Sequence, residues 1–390
     1  MPYKYRLIIL FLISFAATTL VFKPILKIAK NKNIVDNPDA RKLQKQPVPV
    51  MGGIAVFFGI TMGLCFYKTM ITYTSLFPVL GAMTIMLYLG FIDDVVNIKA
   101  GARFLIEILV GLVMIYGMKC CICNFQGLWG IDCVPTVVGI VLSVITFVGV
   151  CNAINMIDGI DGLSSAFGIL IFICLGIVCF ISGEYSFAAL AAVCTGALLP
   201  FFLHNVFGWD TKMFIGDGGT MMMGTAISAM VIILLRKSNI LVERFPALDF
   251  SRIAFVLAVL SIPVGDTLRV MTTRMIHHTS PFKPDKTHLH HVLLDAGYSH
   301  IGITIIEITL DIIVIALFVA VWLLGAPADI QLYTVIAATL LADNGTVALL
   351  RHNTGRSTKR ALRIQRRAEK SHVERKGIWL VIQRIIDGKE

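Results

Sequence analysis

The chain has 390 residues and a net charge of +10 at pH 7, with 57% hydrophobic and only 15% charged residues. Soluble chains carry about 25% charged residues, so this composition excludes an ordinary soluble protein and indicates an integral membrane protein. The nine cysteines are scattered. We interpret them, including the group between Cys120 and Cys133, as small apolar residues, with a disulfide or metal role as the less favoured alternative.

Apolar segments long enough to cross a membrane recur along the chain. We predict an all-α, polytopic membrane protein with about 11 transmembrane helices, since one span takes about 20 residues. The predicted spans are residues 5–28, 50–67, 72–92, 103–119, 134–151, 162–182, 186–204, 218–236, 252–274, 302–324 and 332–350. They form one membrane domain over residues 1–350. A basic tail over residues 351–390 follows, either an amphipathic helix on the inner leaflet or a solubilising stop signal.

The positive charges predict the orientation of the chain. With the N-terminus outside and the C-terminus in the cytoplasm, all but eight of the 34 Lys and Arg residues lie on the cytoplasmic side. The eight outer ones are Lys4, Arg6, Lys68, Lys119, Arg236, Lys237, Arg244 and Arg252. Because cytoplasmic loops are enriched in Lys and Arg, the opposite orientation is disfavoured.

The first cytoplasmic loop, residues 36–53, is cationic and rich in proline. Its Arg41 and Lys42 are candidates for binding an anionic substrate. A positive-inside anchor would explain the lysines before the loop, but it leaves the later prolines and the Gly52-Gly53 pair unexplained.

Two adjacent carboxylates, Asp93 and Asp94, end the third predicted span. Adjacent carboxylates repel, so the pKa of one of them rises unless a cation relieves the pair. The arrangement suits a general base or a metal site, although a helix-end cap would also account for it.

A dense polar motif, residues 152–163, follows the fifth span. Asn152, Asn155 and Asp158 are three residues apart and share one face if the segment is helical, and Asp161 continues the spacing. Hard oxygen ligands of this kind suit Mg²⁺, which also takes water and phosphate oxygens. Helix capping alone is a poor explanation for so many polar groups.

Residues 214–220, Phe-Ile-Gly-Asp-Gly-Gly-Thr, open the eighth span. Backbone N–H groups at a helix N-terminus favour anions. Asp217 is the candidate metal ligand of this segment, and an Asp N-cap is the structural alternative.

The last motif, residues 280–291, ends in three histidines, His288, His290 and His291. They are candidates for contacts with a phosphate or a sugar. We favour this over a transition-metal site because the spacing is not that of a zinc motif and the rest of the chain offers oxygen ligands. Asp266 is expected to be a buried partner of Arg269, three residues further on.

In the predicted orientation, the acidic motifs and the first basic loop all lie at the cytoplasmic ends of spans. Ionisable groups in or near membrane spans cost free energy on insertion, so a membrane protein that holds many of them usually has a function for them. We therefore expect one composite site for a divalent cation and a phosphorylated substrate.

These motifs together resemble the polyprenyl-phosphate N-acetylhexosamine-1-phosphate transferases. The resemblance covers the loop with Arg41, Lys42, Pro47, Pro49 and Gly52-Gly53, the acidic pair and the three later motifs. The first loop and the histidine motif are closer to the branch that uses UDP-N-acetylglucosamine (UDP-GlcNAc). Gln44 stands where that branch often has His, and Thr220 where Ser is common.

The resemblance implies transfer of N-acetylglucosamine-1-phosphate from UDP-GlcNAc to undecaprenyl phosphate, with Mg²⁺ or Mn²⁺, at the cytoplasmic face of a bacterial inner membrane. It implies catalytic roles for Asp93, Asp94, Asp158 and Asp161. It implies metal binding by Asp217 and Asn155. It implies substrate contacts by Lys42, Asn152, Arg274, His288, His290 and His291. It also makes a homodimer one expectation, and no nucleic-acid partner is expected.

Several alternatives stay open at this point. The donor could be UDP-MurNAc-pentapeptide, which would make the protein a peptidoglycan enzyme. A secondary transporter would place polar groups at mid-span and show an inverted repeat, and neither is evident. A non-catalytic lipid-binding scaffold would not need the complete acidic set. Direct attack by the lipid phosphate is the simplest chemistry, and a covalent aspartyl-phosphate route is the alternative.

Overall fold

The computed structural model describes residues 3–36, 47–67, 75–236, 249–281, 286–353, 359–372 and 376–388. Lys42 and most of the basic first loop lie outside this part of the chain. The described helices are α1 (Tyr3–Asn31), α2 (Gly52–Cys65), α3 (Leu76–Val96), α4 (Ala100–Met118), α5 (Thr136–Met156), α6 (Leu163–Ile181), α7 (Tyr185–Phe207), α8 (Gly216–Leu234), α9 (Arg252–Val259), α10 (Ser261–Ile276), α11 (Leu289–Asp295), α12 (His300–Leu323), α13 (Ala328–Asn353), α14 (Lys359–Ser371) and α15 (Ile378–Asp387).

The helical, membrane-spanning character of the chain is confirmed. Within the described residues, nine helices are long and apolar enough to cross a membrane, and the bent pair α9–α10 makes a tenth if it counts as one span. The short apolar helix α2 coincides with the remaining predicted segment. Every predicted span thus overlaps a helix, while the count of eleven and the orientation of the termini stay predictions.

The ninth predicted span, residues 252–274, is not one straight helix. It bends by 77° between α9 and α10. Pro263 near the start of α10 lacks a backbone N–H, which weakens the helical ladder at this point. Asp311 of α12 stabilises the bend, since it accepts hydrogen bonds from the Ser261 hydroxyl (2.6 Å) and the Ile262 amide (3.1 Å).

Helix α8 is the central helix of the bundle. Nearly all of its residues are buried, and it packs against α2, α3, α5 and α6. Its first half is rich in glycine and threonine, and small residues let membrane helices approach closely. The start of α8, with Asp217, is consequently held in the middle of the protein and not at its edge.

Two antiparallel β-pairs connect helices at opposite ends of the bundle. Strands β1 (Val35–Asp36) and β2 (Val48–Pro49) pair next to the start of α8. There the Phe214 carbonyl accepts from the Gly52 amide (2.9 Å), which fixes the first loop against the Phe214–Thr220 segment. Strands β3 (Asn124–Leu128) and β4 (Ile131–Cys133) form a hairpin between α4 and α5. The nine cysteines, which all lie in the described part of the chain, form no disulfide bonds with one another.

Gly90 of α3 marks the closest approach to α8. A Cβ atom there would lie 2.3 Å from the Gly218 nitrogen and 2.4 Å from its Cα. Backbone atoms cannot yield as a flexible side chain can, so Gly90→Ala is expected to destabilise the protein by about 1–3 kcal/mol. Thermal unfolding in detergent should show a lower midpoint.

Gly81 in the same helix provides the matched control. A Cβ atom at Gly81 meets nothing within 4 Å. Gly81→Ala is therefore expected to leave the midpoint unchanged or to raise it slightly, because Ala favours the helical state. Equal midpoints for the two variants would contradict the close contact between α3 and α8.

Candidate active site

A cavity of about 910 Å³ opens where the ends of several membrane helices meet. It is bounded by residues from the α1–β1 connection, the end of α3, the turn between α5 and α6, and the start of α8. Predicted site residues in its lining are Asp94, Asp158, Asp161, Asp217 and His291. Motifs from four separate parts of the chain therefore converge on one cavity.

Beside the cavity, a single guanidinium joins the acidic motifs. Arg103 of α4 contacts Asp93 Oδ2 at 3.0 Å and Asp217 Oδ2 at 3.6 Å. It also donates to Asn152 Oδ1 at 3.0 Å and to Glu107 Oε1 at 3.2 Å. Arg103 thus neutralises carboxylates from α3, α4 and α8 at once, and it fixes their relative positions.

Asn155, predicted as a metal ligand, lies between Arg103 and Asp217. Oriented to satisfy its neighbours, its amide nitrogen donates to Asp217 Oδ1 (3.1 Å) and Thr220 Oγ1 (3.2 Å). Its oxygen accepts from Arg103 at 3.3 Å. In this arrangement Asn155 orients the Asp217 carboxylate.

The adjacent carboxylates Asp93 and Asp94 have different surroundings. Asp93 accepts from the Ile98 amide at 2.7 Å in addition to Arg103, so it joins α3 to α4. Asp94 lines the cavity, and its Oδ2 accepts from the Asp217 amide at 3.1 Å. Of the pair, Asp94 is the carboxylate that is open to the cavity.

The turn after α5 holds two further carboxylates at the cavity. Asp158 accepts from the Ser164 hydroxyl at 2.5 Å. Burial raises the pKa of Asp158 to about 7, while the Ser164 hydrogen bond lowers it and the charge of Asp217 raises it. This carboxyl can therefore change protonation near neutral pH.

Asp161 has the opposite electrostatic surroundings. Its Oδ2 is 2.7 Å from both Lys212 Nζ and His300 Nδ1. Burial alone would raise the pKa of Asp161, but the hydrogen bond from His300 and the charge of Lys212 hold it below its usual value. Asp161 is thus a stable anion that anchors the Lys212 and His300 side chains at the cavity wall.

The histidine motif is held in place by a buried ionic cluster. Asp266 contacts His288 Nδ1 at 2.6 Å and pairs with Arg269, which confirms it as a buried partner of that arginine. Arg269 also binds Asp343 Oδ2 at 2.9 Å. Asp343 lies in a π-helical turn of α13, a feature frequent at functional sites.

The three histidines lie at different depths. His291 lines the cavity, and the Nδ1 atom of His288 is hydrogen-bonded to Asp266. His290 is 2% exposed and packs so closely on Gly159 that a Cβ atom there would lie 2.7 Å from its Nε2. Burial lowers the pKa of His290 to about 3, so it is neutral and supports the turn at Asp158.

Arg274, a predicted substrate contact, is buried at the end of α10, where it donates to the Pro281 carbonyl at 2.6 Å. Among the described histidines and arginines with this predicted role, only His291 is part of the cavity lining. Contacts of Arg274, His288 and His290 with a substrate stay predictions.

The carboxylates around the cavity are candidate ligands of a divalent cation. In the described part of the chain, no three His, Cys, Asp or Glu side chains converge tightly enough to hold a metal by themselves. Mg²⁺ needs only one or two protein carboxylates when substrate phosphates and water complete its shell. Asp94, Asp158 and Asp217 around the cavity fit that mode of binding.

Sequence reasoning missed several of these residues. The missed participants are Arg103, Glu107, Ser164, Lys212 and His300. Arg103 and Glu107 did carry a signal, because an ion pair four residues apart inside an apolar helix is costly without a function. Lys212 and His300 could be recognised only once the fold brought them to Asp161.

The bundle and its cavity define a multi-pass membrane enzyme with an acidic and cationic site suited to phosphoryl chemistry. A sequence profile of glycosyl transferase family 4 matches residues 76–235. The chain is 30% identical over 290 residues to the undecaprenyl-phosphate alpha-N-acetylglucosaminyl 1-phosphate transferase of Escherichia coli K12, covering 73% of this chain and 76% of that protein. The chain belongs to this family and is a transferase.

Other bacterial relatives give the same result. A probable undecaprenyl-phosphate N-acetylglucosaminyl 1-phosphate transferase of Bacillus subtilis strain 168 is 30% identical over 302 residues, which is 76% of this chain and 79% of the relative. Yersinia pestis has an enzyme with the same name as that of Escherichia coli. It is 29% identical to this chain over 299 residues, which is 75% of this chain and 77% of that protein.

Proposed function

We propose that the protein transfers N-acetylglucosamine-1-phosphate from UDP-GlcNAc to undecaprenyl phosphate and releases UMP. The observation that carries this proposal is the convergence of Asp94, Asp158 and Asp217 with Lys212 on one cavity at the ends of membrane helices. A lipid phosphate reaches such a cavity from the bilayer, and a nucleotide sugar reaches it from water. The names of the bacterial relatives support the same substrates.

The reaction follows from charge and position. An anionic oxygen of the lipid phosphate attacks the β-phosphorus of the donor, the bond from that phosphorus to the bridging oxygen breaks, and UMP leaves. Phosphoryl transfer needs alignment and charge neutralisation more than covalent catalysis. Asp94 is placed to orient the acceptor phosphate or take its proton, and Lys212 and His291 to contact donor oxygens.

The remaining side chains act by holding these groups. Arg103 and Asn155 orient Asp217, and His300 and Lys212 fix the turn at Asp161. Bound Mg²⁺ would neutralise diphosphate charge, and Asp217 with Asp94 or Asp158 would hold it. We place the cavity on the cytoplasmic face of a bacterial inner membrane, in agreement with the positive charges on that side. Assembly as a homodimer stays a prediction.

The direct test is UMP release by the purified full-length protein with undecaprenyl phosphate, Mg²⁺ and one nucleotide sugar at a time. Release with UDP-GlcNAc but not with UDP-MurNAc-pentapeptide is expected. Activity with the pentapeptide donor alone would assign the protein to peptidoglycan synthesis. A folded protein that is silent with both donors would contradict the proposed substrates.

Turnover is expected to decrease as the pH falls through about 7, where Asp158 becomes protonated. Ser164→Ala removes a donor that favours the charged carboxylate, so the pKa of Asp158 rises further. The acid limb of the pH–rate profile should then move to higher pH. Ser228→Ala is the control, because that hydroxyl bonds to the Gly224 carbonyl of its own helix and to the Cys151 thiol, and neither of these is a site carboxylate. An acid limb that does not move in Ser164→Ala would rule out Asp158 as its origin.

A further inference from the structure

The second tail helix, α15, has an apolar face without a protein partner in the described structure. Ile378 is 79% exposed and Ile385 is 72% exposed, and Val381 between them is also exposed. Residues spaced by three and four positions share one face of a helix. A contiguous exposed apolar face of this kind marks an interaction surface.

This helix lies beside the end of a membrane-spanning helix. The Trp379 ring packs on Phe207, the last residue of α7, with ring centroids 4.6 Å apart. At the other end of α15, Asp387 Oδ1 accepts from the Trp209 and Thr211 amides, both at 3.2 Å, and from the Thr211 hydroxyl at 2.8 Å. The helix is thereby fixed beside the end of α7 and the loop that follows it.

The preceding helix, α14, supplies positive charge at the same end of the protein, because its Ser371 bonds to Ser299, next to His300 at the cavity wall. Its Ala361 and Ala368 are buried, so the basic side chains turn outward. The exposed basic residues are Arg360, Arg363, Arg366, Arg367 and Lys370. Glu369 is the one acidic side chain of this helix. A basic helix beside an apolar one is typical of binding to an anionic lipid surface.

We propose that α14 and α15 dock on anionic phospholipid beside the end of α7. In this arrangement Ile378, Val381 and Ile385 insert among the acyl chains, and the arginines of α14 bind the headgroups. A second copy of this chain is a poorer occupant, because two equivalent basic surfaces would repel each other.

A chain of contacts connects the docked helix α15 to the cavity. Asp387 binds Thr211, and the next residue, Lys212, contacts Asp161 at 2.7 Å and lines the cavity. Lipid that holds α15 in place therefore also holds the loop over residues 208–212. An effect of lipid docking on turnover would rest on the proposed function. The order of the loop over residues 208–212 can be measured without any substrate.

Hydrogen exchange of the full-length protein tests the proposal. The protein is reconstituted at one copy per nanodisc, in phosphatidylcholine alone or mixed with anionic phosphatidylglycerol. Amides of residues 378–387 and 208–213 are expected to exchange about tenfold or more slowly in the anionic discs, given several basic residues at the surface. One copy per disc removes any protection by a second copy.

Matched variants separate charge from apolar contact. Replacing Arg363, Arg366 and Arg367 together with Gln should abolish the difference between the two lipids, whereas replacing them with Lys should keep it. Ile378→Ser with Ile385→Ser should speed exchange of α15 in both lipids, whereas the same positions changed to Leu should not. Asp387→Ala should speed exchange of residues 208–213 in both lipids.

Two results would overturn the proposal. The first is equal exchange in both lipids for the unaltered protein together with no effect of the Ser variants, which would show that protein contacts alone hold α15. The second is protection that appears only in discs that contain two copies, which would assign the apolar face to a protein interface.

Discussion

Asp217→Asn is expected to reduce UMP release by at least about a thousandfold. A metal ion that neutralises diphosphate charge lowers the activation barrier by several kcal/mol, and each 1.36 kcal/mol corresponds to a factor of ten in rate. Asp217 suits that task, since it lines the cavity, its side chain is 36% exposed, and Arg103 and Asn155 hold its carboxylate in place. The substitution keeps the shape of the side chain, removes its charge and replaces one acceptor oxygen with an NH2 group.

The variant should retain its fold. The backbone amide of residue 217 still donates to Asp94, and the closely packed glycines on either side are unchanged. Thermal unfolding is therefore expected to resemble that of the unaltered protein, while binding of Mn²⁺, followed by electron paramagnetic resonance as a stand-in for Mg²⁺, is expected to be lost. The readout of Mn²⁺ binding does not depend on turnover.

Asp132→Asn is the matched control, because Asp132 is exposed in the β3–β4 hairpin between α4 and α5. It undergoes the same chemical change and is expected to keep full turnover and Mn²⁺ binding. Near-normal turnover of a folded Asp217→Asn variant would remove Asp217 from the metal site, and Asp94 with Asp158 would then be the remaining pair.

The helices could be predicted from the sequence because the membrane leaves few choices. Backbone polar groups must be satisfied within each span, so an apolar run such as residues 162–182 forms a helix whatever surrounds it, here α6. The convergence of the motifs could also be expected, since the polar groups lie at span ends on one side of the membrane and isolated charges there are costly. The bend between α9 and α10 could not, because it depends on Asp311 from another helix.

Individual roles within the site depended on tertiary contacts that spacing does not encode. Asp93 and Asp94 are identical in the sequence pattern, yet one bonds Arg103 and the other lines the cavity. The histidine motif was predicted as a set of substrate contacts, while the fold buries His290 against Gly159. Burial and distant partners decide such assignments, and neither is visible in the local sequence.

Arg103→Met is expected to destabilise the protein and to abolish turnover. The substitution leaves Glu107, whose side chain is 1% exposed, without its cation, and it also removes the partner of Asp93. Breaking a buried ion pair by removing one side costs about 3–5 kcal/mol. Thermal unfolding should shift to a lower temperature, and UMP release should be lost because Asp93 and Asp217 repel each other. Arg351→Met, at an exposed position near the end of α13, is the control and should change neither property.

A second substitution separates stability from catalysis. Glu107→Gln added to Arg103→Met removes the buried charge, and the Gln oxygen can still accept from Asn152 Nδ2, which lies 2.6 Å from Glu107 Oε2. The double variant is therefore expected to recover much of the lost stability but not the turnover, since Asp93 and Asp217 still lack their shared cation. Arg103→Lys should keep part of the stability and turnover that Arg103→Met loses. It should not keep all of either, because one ammonium group cannot reproduce the several contacts that a planar guanidinium makes. If the double variant regained turnover together with stability, Arg103 would act only through folding, and the acidic groups of α3 and α8 would not need a cation between them.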